Sequence, residues 1–347
     1  MIADVMLAAM WVGLTCYALF GGADFGAGFW DLLAGRSRRG ASRRKLIEHS
    51  LGPVWEANHV WLIFVLVMLW TCFPPVFAAV LSTLYIPLTL TALGIIARGA
   101  AFAFRKASTE LWQQRLFGGC FALSSVITPL FLGAVAGGIA SGRVPPGIAA
   151  GDTVTSWVNP TSALGGVIAV LTCAHLAAVY LCADAVREGD AVRAAEFRRR
   201  ALGSGLACGV VALAGIAVLD QDAPVLFHGL THRALALVVI GAVAGLADLA
   251  LLLRHRYVLA RGAAAIAVAA ILWAWGVAQY PHMLVPSTTV AGTASHNSVL
   301  VASLISVGVG LVILTPSLWL LYAMFQRHPE GTRPAEGGGG TGPGRAA

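Results

Sequence analysis

Nine runs of apolar residues leave this chain few ways to fold. They fall at about 4–33, 54–73, 77–103, 115–140, 161–186, 202–219, 233–253, 259–280 and 297–325. A helix rises 1.5 Å per residue, so about 20 apolar residues cross a hydrocarbon core of about 30 Å. In lipid the backbone must satisfy its own polar groups, which selects helices for runs of this length. The expected architecture is an all-α integral membrane protein with nine transmembrane helices. The first and last runs exceed the bilayer and must tilt or project past it. Composition agrees: 58% of the 347 residues are hydrophobic and 11% are charged, against about 25% charged in soluble domains.

The charge that remains marks topology. Arg36, Arg38, Arg39, Arg43, Arg44 and Lys45 follow the first run, and Arg105, Lys106 and Arg115 follow the third. Arg187, Arg193, Arg198, Arg199 and Arg200 follow the fifth, and Arg254, Arg256 and Arg261 follow the seventh. The intervening connections are poor in base, with Arg143 alone between Ser141 and Pro160. By the positive-inside rule, nine spans place the N-terminus outside and the C-terminus in the cytoplasm. The formal charge of +7 therefore reads as orientation, and no nucleic-acid partner is implied.

No connection is long enough to fold alone, so residues 1–327 read as a single transmembrane domain. Residues 328–347, with the Gly337–Gly340 run, read as a low-complexity, disordered cytoplasmic tail. Runs one and five each open a quartet, which suggests two four-helix units plus one further helix. The first run has no basic start and continues into Gly21-Gly-Ala-Asp-Phe-Gly26, so it reads as a retained helix. The six cysteines form no CxxC pair and read as small buried residues. There is no HExxH, Walker loop, GxGxxG or CxxCH, so an enzyme carrying its own cofactor is not supported.

Ionisable residues inside apolar runs are costly and mark function or structural pairing. They are Asp4, Asp24, Asp31, Glu56, His59, Arg98, His175, Asp184 and Asp248. Asp4 and Asp31 lie near helix ends and are expected to reach water. Asp24 sits among Gly22, Gly26 and Gly28, which let a second helix approach, so it needs a donor. Arg98 is the candidate. The pair either holds helices together or leaves Asp24 on a proton path. Glu56 stands near the start of the second run, in Gly52-Pro-Val-Trp-Glu-Ala-Asn-His-Val-Trp61. It is either a helix cap favoured by the dipole or a proton relay backed by Asn58 and His59. His175 reads as a hydrogen-bonded packing histidine before a haem or metal ligand, since no second His lies four residues away. His228 and His232 have that spacing, but in an outer connection.

The stretch Gly-Pro-Val-Trp55-Glu56-Ala-Asn58-His-Val-Trp61-Leu-Ile, after Gly-Ala-Asp24-Phe-Gly-Ala-Gly, resembles subunit II of the cytochrome bd quinol oxidases. Arg98, Arg105, His175 before Tyr180-Leu181, and Tyr280-Pro281 to Pro286 extend the likeness over all but the tail. The resemblance implies a non-haem subunit of a bacterial plasma-membrane oxidase. That enzyme oxidises membrane quinol (menaquinol or ubiquinol) and reduces O2 with cytoplasmic protons, generating proton-motive force. It implies a heterodimer with subunit I, which holds haems b558, b595 and d. It allows a structural quinone and a small accessory subunit beside lipid. It places Glu56 on the proton pathway with Asn58 beside it, and Asp24 is a further candidate for that pathway from its own surroundings. Trp61 and Trp55 belong with an oxygen route or channel lining, and Arg98 and His175 are structural polar groups. The alternative is a polytopic secondary transporter, for which Pro87 and Pro316 are the central helix-breaking candidates.

Overall fold

Proline and glycine decide where the helices of the computed structural model break. It describes residues 1–33, 55–108 and 110–326. The first run is one long rod in three parts: α1 (Ile2–Cys16), a π-helical segment (Tyr17–Gly21) and α2 (Gly22–Leu32). Next come α3 (Trp55–Cys72), α4 (Pro74–Thr83), α5 (Tyr85–Ala107) and α6 (Leu111–Ala140). The chain continues through α7 (Pro160–Arg187), α8 (Ala191–Asp222), α9 (Pro224–Thr231), α10 (Leu235–Leu253) and α11 (Tyr257–Gln279). A small antiparallel hairpin follows, β1 (His282–Leu284) with β2 (Thr288–Thr289), then α12 (Val290–Thr293) and α13 (Asn297–Gln326).

Among the described residues, eight helices are long and apolar enough to cross a membrane. A ninth span results if Asn58–Cys72 and Pro74–Thr83, bent by 118°, count as one. The chain is a multi-pass membrane protein. The third span begins later than the sequence suggests. Residues 77–83 belong to α4, and a break at Leu84 separates them from α5. Pro87 explains it: proline has no N–H, and its ring collides with the carbonyl four residues back. Pro74 and Pro75 likewise suit the first turn of α4 and cannot continue α3. The C-terminal carbonyls of α3 find donors elsewhere. Ser295 N bonds to Cys72 O at 2.8 Å, and Ser295 Oγ bonds to Thr71 O at 2.7 Å.

Helix α7 is the hub of residues Met1–Leu300, packing against α2, α6, α8 and α11. Its buried face is rich in small residues, Ala174, Ala177, Ala178, Cys182 and Ala185, beside Leu176, Val179 and Leu181. Ala27 and Trp30 of α2, Phe197 and Ala201 of α8, Leu252 of α10 and Ala260 of α11 close on it. In lipid there is no hydrophobic drive between helices, so close van der Waals approach of small residues carries the packing. Other bulky apolar residues face outward. Leu206, Val210, Leu213 and Ile216 form such a face on α8, and Val239, Val243 and Leu246 another on α10. Residues Val301–Ala347 form a separate unit, whose described part is the rest of α13, with Pro316 inside the helix.

The connections between spans are pinned by charge. Arg143 donates to both carboxylate oxygens of Asp222 at 3.0 and 2.5 Å, and Thr161 donates to Oδ2 through its N–H and hydroxyl at 3.1 and 2.6 Å. This clasp ties the end of α8 to the start of α7 and the connection after α6. Asp152 Oδ1 accepts from the Thr155 and Val154 N–H groups at 2.6 and 2.9 Å, which holds its pKa below the usual carboxylate value. That contribution is present above the unfolded-state pKa and is lost as pH falls through the lowered one. Asp152→Ala is expected to raise amide hydrogen exchange at Val154 and Thr155 at neutral pH. The difference from wild type should shrink in acid.

Candidate functional site

Helix α2 carries Asp24 and Asp31, and α5 carries Arg98 and Arg105. In each helix the two charges are about two turns apart, so they share a face. The two faces meet. Arg98 Nη1 donates to Asp24 Oδ2 at 2.6 Å, and Nη2 donates to Oδ1 at 2.8 Å and to the Asp24 carbonyl at 3.1 Å. Arg105 Nη1 donates to Asp31 Oδ2 at 3.2 Å. Both matches advance in the same direction, so α2 and α5 run parallel. Arg98 Nε donates to Ser125 Oγ of α6 at 2.9 Å. The Phe25 and Phe121 rings stand 4.9 and 4.7 Å from its guanidinium carbon, where the ring faces attract a cation. Asp24 and Arg98 are each only 2% exposed.

Glycines make that approach possible. A Cβ on Gly26 would lie 1.8 Å from the Cys173 carbonyl oxygen, and one on Gly28 would lie 2.1 Å from Ser125 Oγ. The sequence anticipates a donor for Asp24 and proposes Arg98, and the structure brings the two together. It corrects Asp31, which is 7% exposed and paired with Arg105 rather than reaching water. The reason is that α2 is covered along its whole length by α6 and α7.

Beside this seam lies the entrance of α3. Asn58 is buried, and its Nδ2 reaches the Phe20 carbonyl at 3.4 Å. The π-helical segment widens the hydrogen-bond ladder at Phe20, where such bulges expose backbone acceptors. Trp61 packs on Tyr17, Phe25 and Cys173. The His59 ring lies 6.3 Å from Tyr17 and 6.1 Å from Phe25. Tyr17 Oη and His59 Nδ1 are buried with no hydrogen-bond partner among the described residues. Trp55 and Glu56 open α3, but their side chains lie outside the described residues.

His175 of α7 sits apart from this seam. Its Nδ1 faces the Ala201 carbonyl of α8 at 3.0 Å, and its Nε2 faces Asp248 Oδ2 of α10 at 2.8 Å. Both ring nitrogens are engaged, which leaves neither for a metal. Sequence reasoning found His175 and Asp248 separately and missed their pairing, since nothing in one dimension links residues so far apart. His228 lies in α9 and His232 caps it, with rings stacked at 3.9 Å. Among the described residues, no group of three His, Cys, Asp or Glu side chains is placed to hold a metal ion. The Trp273 Nε1 donates to Thr15 Oγ1 at 3.1 Å, and Trp275 Nε1 donates to Gln279 Oε1 at 2.8 Å, so both indoles serve packing.

Residues 2–325 match the family model described as cytochrome bd terminal oxidase subunit II. A putative cytochrome bd menaquinol oxidase subunit II of Bacillus subtilis is 24% identical, over 96% of this chain and 98% of that one. The cytochrome bd ubiquinol oxidase subunit 2 of Bacillus subtilis is 29% identical over 49% of this chain, a match spanning 48% of that relative's length. The cytochrome bd-I ubiquinol oxidase subunit 2 of Escherichia coli is 29% identical over 37% of this chain and 33% of its own length. The fold matches a chain in the structure of bd oxidase from Geobacillus thermodenitrificans with a TM-score of 0.79. That match has 24% identity and covers 93% of this chain and 98% of the other.

Proposed function

The chain belongs to the cytochrome bd terminal oxidase subunit II family, and from that premise we propose that it serves a quinol:oxygen oxidoreductase as its non-haem subunit. The observation that carries this reading is a family match running from residue 2 to residue 325, through the whole bundle. The transporter reading of the same spans is set aside on that ground. The enzyme would take electrons from membrane quinol and protons from the cytoplasm and deliver both to O2. Its haems would sit in subunit I, packed against this chain in a heterodimer. The orientation follows the arginine-rich connections, with the N-terminus outside and the C-terminus cytoplasmic. The transmembrane domain would comprise residues 1–327, arranged as two four-helix units and one further helix, with 328–347 as a tail.

Within that frame Glu56 takes protons at the cytoplasmic mouth of α3, and Asn58 holds the helix start against the π-helical segment. Trp55 and Trp61 line the neighbouring apolar route. Asp24 anchors this region, its two carboxylate oxygens and its carbonyl all held by the Arg98 guanidinium. Support comes from the crowding of Asn58, Trp61 and the Asp24–Arg98 pair around one end of α2. Glu56→Gln in the purified complex is expected to slow quinol-dependent O2 consumption by at least tenfold while the haem absorption spectrum is retained. Normal turnover in that variant would remove Glu56 from the proton route. Loss of the haem spectrum would make it an assembly residue.

A further inference from the structure

Two buried charge pairs of the bundle are placed alike but differ in chemistry. Asp24 of the first span meets Arg98 of the third, 74 residues on, and His175 of the fifth meets Asp248 of the seventh, 73 residues on. In the first pair the acid comes first and the cation is permanent. In the second the base comes first and is an imidazole, whose charge depends on a second ring proton.

The contacts of His175 specify how many protons the second pair holds. A backbone carbonyl only accepts, so Nδ1, 3.0 Å from Ala201 O, must carry a proton. Ser204 cannot substitute for it. Its one hydroxyl proton is given to the Arg200 carbonyl at 2.8 Å, with Ala201 O at 3.2 Å, and it lies 3.5 Å from Nδ1. At the other nitrogen, Nε2 and Asp248 Oδ2 stand 2.8 Å apart. Without a proton between them, a lone pair would face an ionised carboxylate in an apolar interior. Asp248 is 1% exposed, and its Oδ1 is buried with no hydrogen-bond partner among the described residues. A bare, unpaired carboxylate there is costly, whereas one bridging proton leaves the pair neutral.

Several other charges on the surrounding helices have partners of their own. On α7, Asp184 pairs with Arg187, and Arg261 of α11 reaches Asp184 at 3.3 Å. On α8, Arg200 pairs with Glu196 at 2.8 Å and lies over Trp30 and Phe197. On α2, Asp24 and Asp31 have Arg98 and Arg105. The thiol of Cys208 on α8 contacts Thr172 Oγ1 at 3.7 Å, and the Cys173 thiol packs with Tyr17 and Phe25. Asp248 is the single ionisable residue of α10. Gly205 keeps α8 open to the ring, since a Cβ there would lie 2.8 Å from His175 Cε1.

We propose that His175 and Asp248 form an intramembrane proton-binding site, holding one bridging proton, with Asp248 Oδ1 left to receive a water molecule. The site stands in the second half of the bundle where the first half keeps an arginine clamp. It does not depend on the oxidase assignment, since it follows from hydrogen-bond valence alone.

The test uses the full-length protein, purified with whatever accompanies it and returned to lipid bilayers. Histidine ring nitrogens are labelled with nitrogen-15 and read by solid-state NMR at neutral pH, with His175→Gln subtracted to isolate the residue. The expected result is a histidine with both ring nitrogens protonated. A neutral ring together with a protonated-carboxyl infrared band that disappears in Asp248→Asn places the same proton on the acid and supports the site equally. Asp248→Asn is also an independent route should His175→Gln not accumulate. Its amide keeps the shape of the acid but not its charge, and His175 is expected to lose one ring proton there. A wild-type His175 with a bare Nε2, together with no protonated-carboxyl band, would overturn the proposal.

Discussion

Arg98→Leu is expected to leave the assembled protein at a small fraction of its wild-type level in the membrane. The substitution removes the cation but not Asp24, whose two oxygens and carbonyl then face an apolar interior with their main donors gone. Breaking one side of a buried pair costs about 3–5 kcal/mol, while replacing both sides with apolar residues is often near neutral. The double variant Asp24→Leu/Arg98→Leu should therefore accumulate better than Arg98→Leu alone. The Phe25 and Phe121 rings that flank the guanidinium can pack on leucine as well. The check is the amount and thermal stability of detergent-solubilised protein for the two single variants and the double. Equal loss in all three would mean that the cost lies in losing the pair itself and not in leaving one charge uncompensated, and no loss in any would mean that the pair adds nothing.

A comparable loss is expected from Gly26→Val. The Cβ position there lies 1.8 Å from the Cys173 carbonyl oxygen and 2.8 Å from Ala177 Cβ, so relief requires α2 and α7 to separate. Separation would strain the Trp30 Nε1 bond to the Ala174 carbonyl, now 2.8 Å, on the same pair of helices. Close approach is the main source of helix association in lipid, so lost contact along this interface is not offset by solvent. Gly209→Ala is the control. Nothing lies within 4 Å of a Cβ there, and alanine in place of a helical glycine is favourable by about 1 kcal/mol. Wild-type accumulation of Gly26→Val would show that the two helices can slide apart freely.

How much of this was legible in the chain depends on the kind of signal. Apolar runs located the spans to within a few residues, because lipid demands length and hydropathy together. They failed where a helix continues without lipid. Helix α8 begins at Ala191, well before the apolar run at 202, because the arginine-rich segment there is helical although too polar for a bilayer. They also failed at Leu84, where Pro87 breaks a run that hydropathy alone reads as continuous. Among the site residues, Asp24 announced its need for a donor through the surrounding glycines. His175 and Asp248 gave no such sign, since their shared geometry exists only once α7, α8 and α10 are packed. The Ser125 contact to Arg98 was equally hidden, because a serine in an apolar helix looks like any other small residue.

The π-helical segment has a consequence for how the first span meets its neighbours. A widened turn accommodates an inserted residue, and one residue corresponds to about 100° of rotation around a helix. The rod can thus turn one stripe toward α3 and α11 above the segment and a different stripe toward α6 and α7 below it. Asp24, Gly26 and Gly28 all lie below. Tyr17–Gly21 acts as a phase adjuster between the part of the span that meets α3 and α11 and the part that meets α6 and α7.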